Sequence, residues 1–168
     1  TRIVDVAMAV ADTSFGVLIA ALSIALFYAL LRVVRDTEGT KSTPMNDALT
    51  ALLLGFGTLY FYAAIRGEVW FSAEVMGVGL TALYLRNAVG ARRPLLAGLF
   101  WSMAVLTRTP LLFTGLFFLL EVMAPEKGNR VGQLKQLTPE KRKGLGRFIA
   151  GAAPLGLAAA VWNATRFG

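Results

Sequence analysis

The sequence contains no cysteine and no histidine among its 168 residues. Without cysteine there are no disulfides, no thiolate zinc sites, no CxxC redox pairs and no cysteine nucleophile. Without histidine there is no HExxH metal-binding helix and no serine–histidine pair. Any chemistry in this chain therefore relies on carboxylates, arginine, lysine, tyrosine or the backbone.

Charged residues are also scarce, at 16% of the chain, and hydrophobic residues make up 56%. Soluble domains have about 25% charged residues and about 45–50% apolar residues. The mean hydropathy of +0.61 thus excludes an ordinary soluble domain. The formal charge of +7 is expected beside a membrane and not on a nucleic-acid-binding surface, because so apolar a chain leaves no soluble surface to carry it.

Long apolar runs are abundant, and a helix needs about 20 such residues to cross a hydrocarbon core of about 30 Å. The candidate runs are residues 14–31, 48–65, 69–85, 95–123 and 148–162. The fourth run is interrupted at residues 107–110, where Pro110 disfavours helix at the preceding residue, so it predicts two short helices that meet near Arg108. The expected fold is all-α, a polytopic transmembrane helix bundle of about six membrane segments. Residues 1–168 are interpreted as a single transmembrane domain from the middle of a larger membrane protein.

The positions of the basic residues predict the orientation of this bundle. Thirteen of the 17 lysines and arginines follow the first run, follow the third run or lie in the loop 125–147. Because lysine and arginine accumulate in short cytoplasmic loops, these segments are expected to be cytoplasmic. The other four basic residues fall at the opposite ends of the segments: Arg2, Arg66, Arg108 and Arg166.

Two carboxylates near the outer turn between the second and third runs are candidate site residues. Glu74 lies about 8 Å into its run, where a carboxylate is costly unless it is paired, protonated or facing water. It is interpreted either as a functional group or as half of an ion pair with Arg66 or Arg108 that holds helices together. Glu68 lies in the turn itself, where the simpler interpretation is a solvated residue.

Aromatic residues surround the same turn, and Trp70 is the one included among the site candidates. Its neighbours are Tyr60, Tyr62 and Phe71. An interfacial aromatic belt explains such a cluster. The alternative is that one of these rings lines a cavity for a sugar or an isoprenoid.

Arg108 is the strongest candidate for an anion-binding residue. The run 95–106 spans only about 18 Å, so Arg108 is expected at or below the outer interface. A guanidinium pairs bidentately with phosphate and stays charged when partly desolvated. The alternatives are an inter-helix salt bridge to Glu74 and a contact with lipid headgroups.

Several short segments resemble the polytopic GT-C glycosyltransferases, specifically the bacterial relatives of the dolichol-phosphate-mannose protein mannosyltransferases in glycosyltransferase family 39. They are ALFYALLR at 25–32, SAE at 72–74 with LYLR at 83–86, LAGL at 96–99 with AVLTR at 104–108, and WNATRFG at 162–168. Together these segments extend over almost the whole chain.

The resemblance implies an integral protein of the bacterial inner membrane that transfers a sugar from a polyprenyl-phosphate-linked donor at the extracytoplasmic face. It makes Glu74 and Arg108 the candidates for the outer cavity near the donor phosphate, and it extends to no other residue. Arg66, Glu68 and Trp70 are further candidates for that cavity only because they lie at the same outer turn. In this family an acidic residue of the first outer loop orients or activates the acceptor. That loop is expected upstream of Thr1, and neither Asp5 nor Asp12 matches it, so no catalytic base is assigned.

Two other functions stay open from the sequence. One is a transporter or flippase, in which the two short helices form a re-entrant hairpin and Arg108 binds an anionic substrate. The other is a non-catalytic membrane scaffold, in which Glu74 and Arg108 only pair with each other. No cofactor is expected, the need for a divalent metal is left open, and the expected partners are membrane lipid and the lipid-linked donor.

Overall fold

The computed structural model describes residues 2–123 and 138–168. Those residues form seven α-helices and two short 3-10 helices, with no strand among them. The α-helices are α1 (Arg2–Glu38), α2 (Pro44–Phe56), α3 (Leu59–Arg66), α4 (Val69–Ala88), α5 (Pro94–Thr107), α6 (Gly115–Met123) and α7 (Pro139–Phe167). The 3-10 helices are η1 (Val89–Ala91) and η2 (Thr109–Thr114). The predicted all-α class is confirmed for this part of the chain.

The described residues contain fewer candidate membrane spans than the six segments predicted. Among the described residues, two helices are long and apolar enough to cross a membrane, over Val10–Glu38 and Pro139–Phe167. The pair α2 and α3 adds a third if it forms one span, although it bends by 54°. The protein is therefore a transmembrane protein with two or three candidate spans in the described ranges.

Local features explain why the other runs do not form single helices that are long and apolar enough to cross a membrane. Helix α4 carries both Glu74 and Arg86 within its 20 residues. Helices α5 and α6 have 14 and 9 residues, or about 21 Å and 14 Å, which is shorter than the hydrocarbon core. The break between α2 and α3 occurs at Gly57 and Thr58, where the hydroxyl of Thr58 accepts the N–H of Tyr60 at 3.1 Å and caps α3.

Two helix starts that local sequence predicts can be compared with the structure. Asp12, just before the first apolar run, is predicted to cap the first membrane helix, but α1 begins at Arg2 and contains Asp12. Thr138 followed by Pro139 predicts the capped start of a short helix; a helix does begin there, but it is 29 residues long and the side chain of Thr138 makes no capping hydrogen bond. Pro139 at the first position suits a helix start because its missing N–H would have no partner there.

The chain divides into two compact units, Thr1–Leu83 and Tyr84–Gly168. In the first unit α1 packs against both α2 and α3. Close approach is possible because of small residues: a Cβ on Gly16 would lie 2.4 Å from the carbonyl oxygen of Ala64, and one on Gly79 would lie 2.4 Å from the hydroxyl of Ser23. Buried residues at this core are Ala20, Tyr60, Ala63, Ala64 and Val75.

In the second unit α5 packs along α7 through two glycines. A Cβ on Gly98 of α5 would lie 2.0 Å from the carbonyl oxygen of Phe148, and one on Gly151 of α7 would lie 2.0 Å from that of Leu95. The two backbones therefore touch at this crossing, as the glycine- and alanine-rich composition of the last run predicts. The ring of Phe148 stacks on Phe118, with centroids 4.3 Å apart.

Tyr84 connects the end of α4 to the start of α6. Its hydroxyl donates to the carbonyl of Thr114 at 2.9 Å and accepts the N–H of Phe118 at 3.0 Å. Thr114 and Phe118 are four residues apart, so in an α-helix the N–H of Phe118 would bond directly to the carbonyl of Thr114. The Tyr84 hydroxyl lies between these two groups and bonds to both. The 3-10 geometry of η2 gives way to α-helix at this point.

Candidate functional site

The turn between α3 and α4 holds Arg66 and Glu68 together. Gly67 between them adopts a left-handed conformation, φ 65°, which favours glycine and lets the chain reverse there. The Nη2 of Arg66 lies 3.1 Å from the Oε1 of Glu68, and both side chains are about half exposed, at 48% and 52%. This arrangement is a surface ion pair.

Arg66 also stacks on aromatic rings of the same unit. Its guanidinium carbon lies 5.4 Å from the ring centre of Tyr62 and 6.0 Å from that of Phe71. These two rings contact each other edge to face, with centroids 5.8 Å apart. Arg66 thus contacts one carboxylate and lies within cation–π distance of two aromatic rings.

The remaining aromatic candidates do not share one site. Trp70, in the first turn of α4, is 77% exposed. Tyr60 is buried, and its hydroxyl donates to the carbonyl of Val75 at 3.4 Å. Of the four clustered aromatics, the structure therefore brings only Tyr62 and Phe71 together with Arg66.

Glu74 lies in the second turn of α4 and is half-buried. It is not an isolated carboxylate, because it takes part in a polar interaction within the structure. Glu74, Arg66, Glu68 and Trp70 all belong to the first compact unit, whereas Arg108 belongs to the second. The interpretation of Glu74 and Arg108 as an ion pair stays a prediction.

Arg108 lies where α5 ends, as expected from the interruption in the apolar run. Its backbone is extended, with φ −149° and ψ 116°. Its N–H donates to the carbonyl of Ala104 at 3.1 Å, and its own carbonyl accepts the N–H of Leu111 at 3.0 Å. The side chain is half-buried and already takes part in an interaction. A cation is thereby fixed at a break between two short apolar helices.

An apolar groove lies in the same unit as Arg108, with a volume of about 720 Å³. That volume is within the range of pockets that bind small ligands, about 300–1,000 Å³. Its walls come from α5, η2, α6 and α7. The segment η2 leads directly from Arg108 to the groove residues Leu112 and Phe113.

Trp101 of α5 lines this groove and has an unusual polar atom. Its indole nitrogen is buried and has no hydrogen-bond partner among the described residues. The ring packs so tightly that a Cβ on Gly115 would lie within 2.9 Å of that nitrogen. The sequence contains no signal for this buried donor, since a tryptophan in an apolar run ordinarily indicates packing alone.

A buried ion pair in the first unit was not predicted. Asp47 in α2 pairs with the guanidinium of Arg35 at the end of α1, and the hydroxyl of Ser42 donates to the other carboxylate oxygen at 2.7 Å. The Asp47 and Arg35 side chains are only 5% and 17% exposed. The sequence interpretation used Arg35 only as an orientation charge; the available signal was an aspartate just after Thr43-Pro44, which marks a helix start.

Glu121 in α6 is a second unpredicted polar contact. Its carboxylate accepts the N–H of Gly90 at 2.7 Å. Gly90 has φ 63° in the turn after α4, so the carboxylate stabilises a left-handed turn. Among the described residues no group of three carboxylates could hold a metal ion.

Comparison of the chain with family models, with curated proteins and with solved structures found no match, so no family is assigned to it.

Proposed function

We propose that this chain is the membrane part of a glycosyltransferase of the bacterial inner membrane, which takes its sugar from a polyprenyl-phosphate-linked donor. The observation that supports the proposal is the position of Arg108 between two short apolar helices. Its backbone is extended and its side chain is half-buried. The side chain already interacts within the protein. A guanidinium has five N–H donors, so it can also pair with the phosphate of a lipid-linked donor and stays charged when partly desolvated.

In this proposal the bond between the anomeric carbon of the sugar and the phosphate oxygen breaks as a hydroxyl of the acceptor attacks that carbon. The lipid phosphate leaves with the bonding electrons, and Arg108 stabilises its charge. The proton of the acceptor hydroxyl passes to a base that is not assigned in this chain. Glu74 is the second candidate that the family resemblance offers for the donor. The exposed Arg66–Glu68 pair and Trp70 receive no chemical role, because they form a surface cluster or face outward.

Binding of undecaprenyl phosphate to the full chain in lipid nanodiscs tests the proposal. Loss of a charge-assisted hydrogen bond costs about 1.5–3 kcal/mol, so Arg108→Ala should weaken binding by about ten- to a hundredfold. Arg166→Ala is the matched control, since Arg166 is an exposed arginine at the end of α7. Equal affinity of the Arg108→Ala chain and the unaltered chain would overturn the role of Arg108, provided that circular dichroism shows the same helix content.

A transporter or flippase is the second candidate, and one observation favours it. The pair α2 and α3 is bent by 54° at its break, and discontinuous helices line the substrate sites of many transporters. A fluorescent polyprenyl phosphate placed in one leaflet of protein-containing vesicles separates the two functions. Movement of the probe to the other leaflet supports a flippase, whereas binding without movement supports the transferase.

A further inference from the structure

We propose that the apolar groove of the second unit is a binding site for one acyl chain of an anionic phospholipid, whose headgroup lies against Lys141 and Arg142 of α7. This proposal is independent of the glycosyltransferase assignment, because it concerns a resident membrane lipid and the basic end of α7.

One face of α7 forms the long wall of the groove. Its lining residues are Leu145, Phe148, Ile149, Ala152, Ala153 and Gly156. These positions repeat at intervals of three and four, so they form a single stripe along the helix. From Leu145 to Gly156 the stripe is about 17 Å long, which corresponds to roughly one leaflet of a hydrocarbon core of about 30 Å.

The same stripe continues into two cations. Arg142 and Lys141 precede Leu145 by three and four positions, so they lie on the groove face of α7. Arg142 is exposed and Lys141 is half-buried. Lys143 and Arg147 lie two positions from Leu145 and therefore on the opposite face. The groove thus has cations at one end and an apolar surface beyond them, which is the complement of an anionic amphiphile.

The α7 wall of the groove carries small residues at Ala152, Ala153 and Gly156. A Cβ added to Gly156 would meet nothing within 4 Å, so that position borders open space. A second copy of this chain is a poorer occupant in parallel orientation, because its own Lys141 and Arg142 would face the same two cations. An anionic lipid instead brings charge of the opposite sign, and long basic side chains readily reach headgroup phosphates.

Trp101 provides a direct readout, since it lines the groove and is one of only three tryptophans in the chain. In the Trp70→Phe, Trp162→Phe background it is the sole indole. We would place this chain in phosphatidylcholine vesicles and quench its fluorescence with phosphatidylglycerol or phosphatidylcholine brominated on the acyl chain. Each basic residue near an anionic lipid favours it by about fivefold, so the two together predict a relative association constant of about 25 for phosphatidylglycerol.

Two pairs of charge variants locate the headgroup. Lys141→Gln with Arg142→Gln should bring the phosphatidylglycerol preference close to one. Lys143→Gln with Arg147→Gln removes the same charge from the other face and should preserve most of the preference. The basic residues of 124–137 are unchanged in both variants, so their contribution cancels. Equal losses in the two variants would mean general surface attraction and would overturn the proposal.

The position of the acyl chain is tested by two glycine variants. Gly156→Leu fills the groove and should reduce the quenching of Trp101 by both brominated lipids at least several-fold. Gly146→Leu adds the same side chain at another position where a Cβ meets nothing within 4 Å, and it should have little effect. Equal quenching in the two variants would overturn the placement of the chain in the groove.

Two further results would also contradict the proposal. If neither brominated lipid quenches Trp101 in the unaltered groove, a protein segment and not a lipid fills it. If Arg108→Gln abolishes the preference while the Lys141 and Arg142 variant retains it, the headgroup lies at Arg108 and not at Lys141 and Arg142. That last result would leave the proposed glycosyltransferase function intact. Conversely, if Arg108→Ala does not weaken the binding of undecaprenyl phosphate, the role of Arg108 in the transferase fails but the phospholipid site stands.

Discussion

The two compact units hold their helices together by different means. In the first, the corner between α1 and α2 is held by a buried ion pair, Arg35 with Asp47, to which Ser42 adds a hydrogen bond. In the second, α5 and α7 touch through the backbone at Gly98 and Gly151, with no charge at the crossing. One contact depends on the chemistry of its side chains and the other on the absence of side chains, so the two should respond to different substitutions.

Asp47→Asn should cause the largest loss of stability. It leaves the guanidinium of Arg35, which is only 17% exposed, without its buried carboxylate partner and with only the exposed carboxylate of Asp36 nearby. Breaking a buried pair typically costs about 3–5 kcal/mol. Because Arg35 keeps some access to solvent, we expect a loss of about 2–4 kcal/mol in the free energy of unfolding. Titration of the full chain in mixed micelles with sodium dodecyl sulfate, followed by circular dichroism, measures this loss.

Asp36→Asn is the matched control for that substitution. Asp36 also faces Arg35, with Nε and Oδ1 3.8 Å apart, but its side chain is 68% exposed. Its loss should cost less than about 1 kcal/mol. If the two variants lose the same free energy of unfolding, the buried Asp47 contributes no more than the exposed Asp36. The ion pair with Asp47 would then not be what holds α1 and α2 together.

Gly151→Ala is the corresponding test of the second unit and should have the next largest effect. The new methyl group would lie 2.0 Å from the carbonyl oxygen of Leu95, which belongs to the backbone and cannot rotate away. Overpacking of this kind costs about 1–3 kcal/mol. The same unfolding titration measures this cost. Helix propensity alone would make alanine about 1 kcal/mol more stable than glycine, so a loss of stability is the opposite of what propensity predicts.

Gly146→Ala provides the comparison on the same helix. A Cβ at Gly146 meets nothing within 4 Å, so the substitution should stabilise the chain by up to about 1 kcal/mol. Opposite signs at positions 146 and 151 would establish that backbone contact, and not glycine content, determines the packing of α7. Stabilisation at both positions would contradict the close crossing of α5 and α7.

The sequence was sufficient for those features that depend on local composition. The all-α class follows from hydropathy, the break at Arg108 from Pro110, and the start of α7 from Thr138-Pro139. Each of these depends on neighbouring residues in the chain, whose effects on the backbone are short-range.

Features that depend on contacts between segments were not predictable in the same way. Arg35 and Asp47 are twelve positions apart, and only the turn between α1 and α2 brings them together. In the described residues the candidate spans are fewer than predicted, because hydropathy alone does not show that α2 and α3 bend by 54°. The groove was also missed, since its walls come from four separate elements.

Glu68→Gln should have the smallest effect and sharpens the contrast between the two ion pairs of the first unit. The Arg66–Glu68 pair has ordinary geometry, with a separation of 3.1 Å, but its side chains are 48% and 52% exposed. Exposed pairs contribute about 0–1 kcal/mol, and salt screens them. Arg66 also keeps its contacts with Tyr62 and Phe71 in this variant. We therefore expect a cost of about 0.5 kcal/mol or less in unfolding titrations at low salt and none at high salt. A cost as large as that of Asp47→Asn, unchanged by salt, would contradict this expectation. Solvent exposure would then not determine the strength of the two ion pairs, and it would not distinguish Glu68 from Asp47.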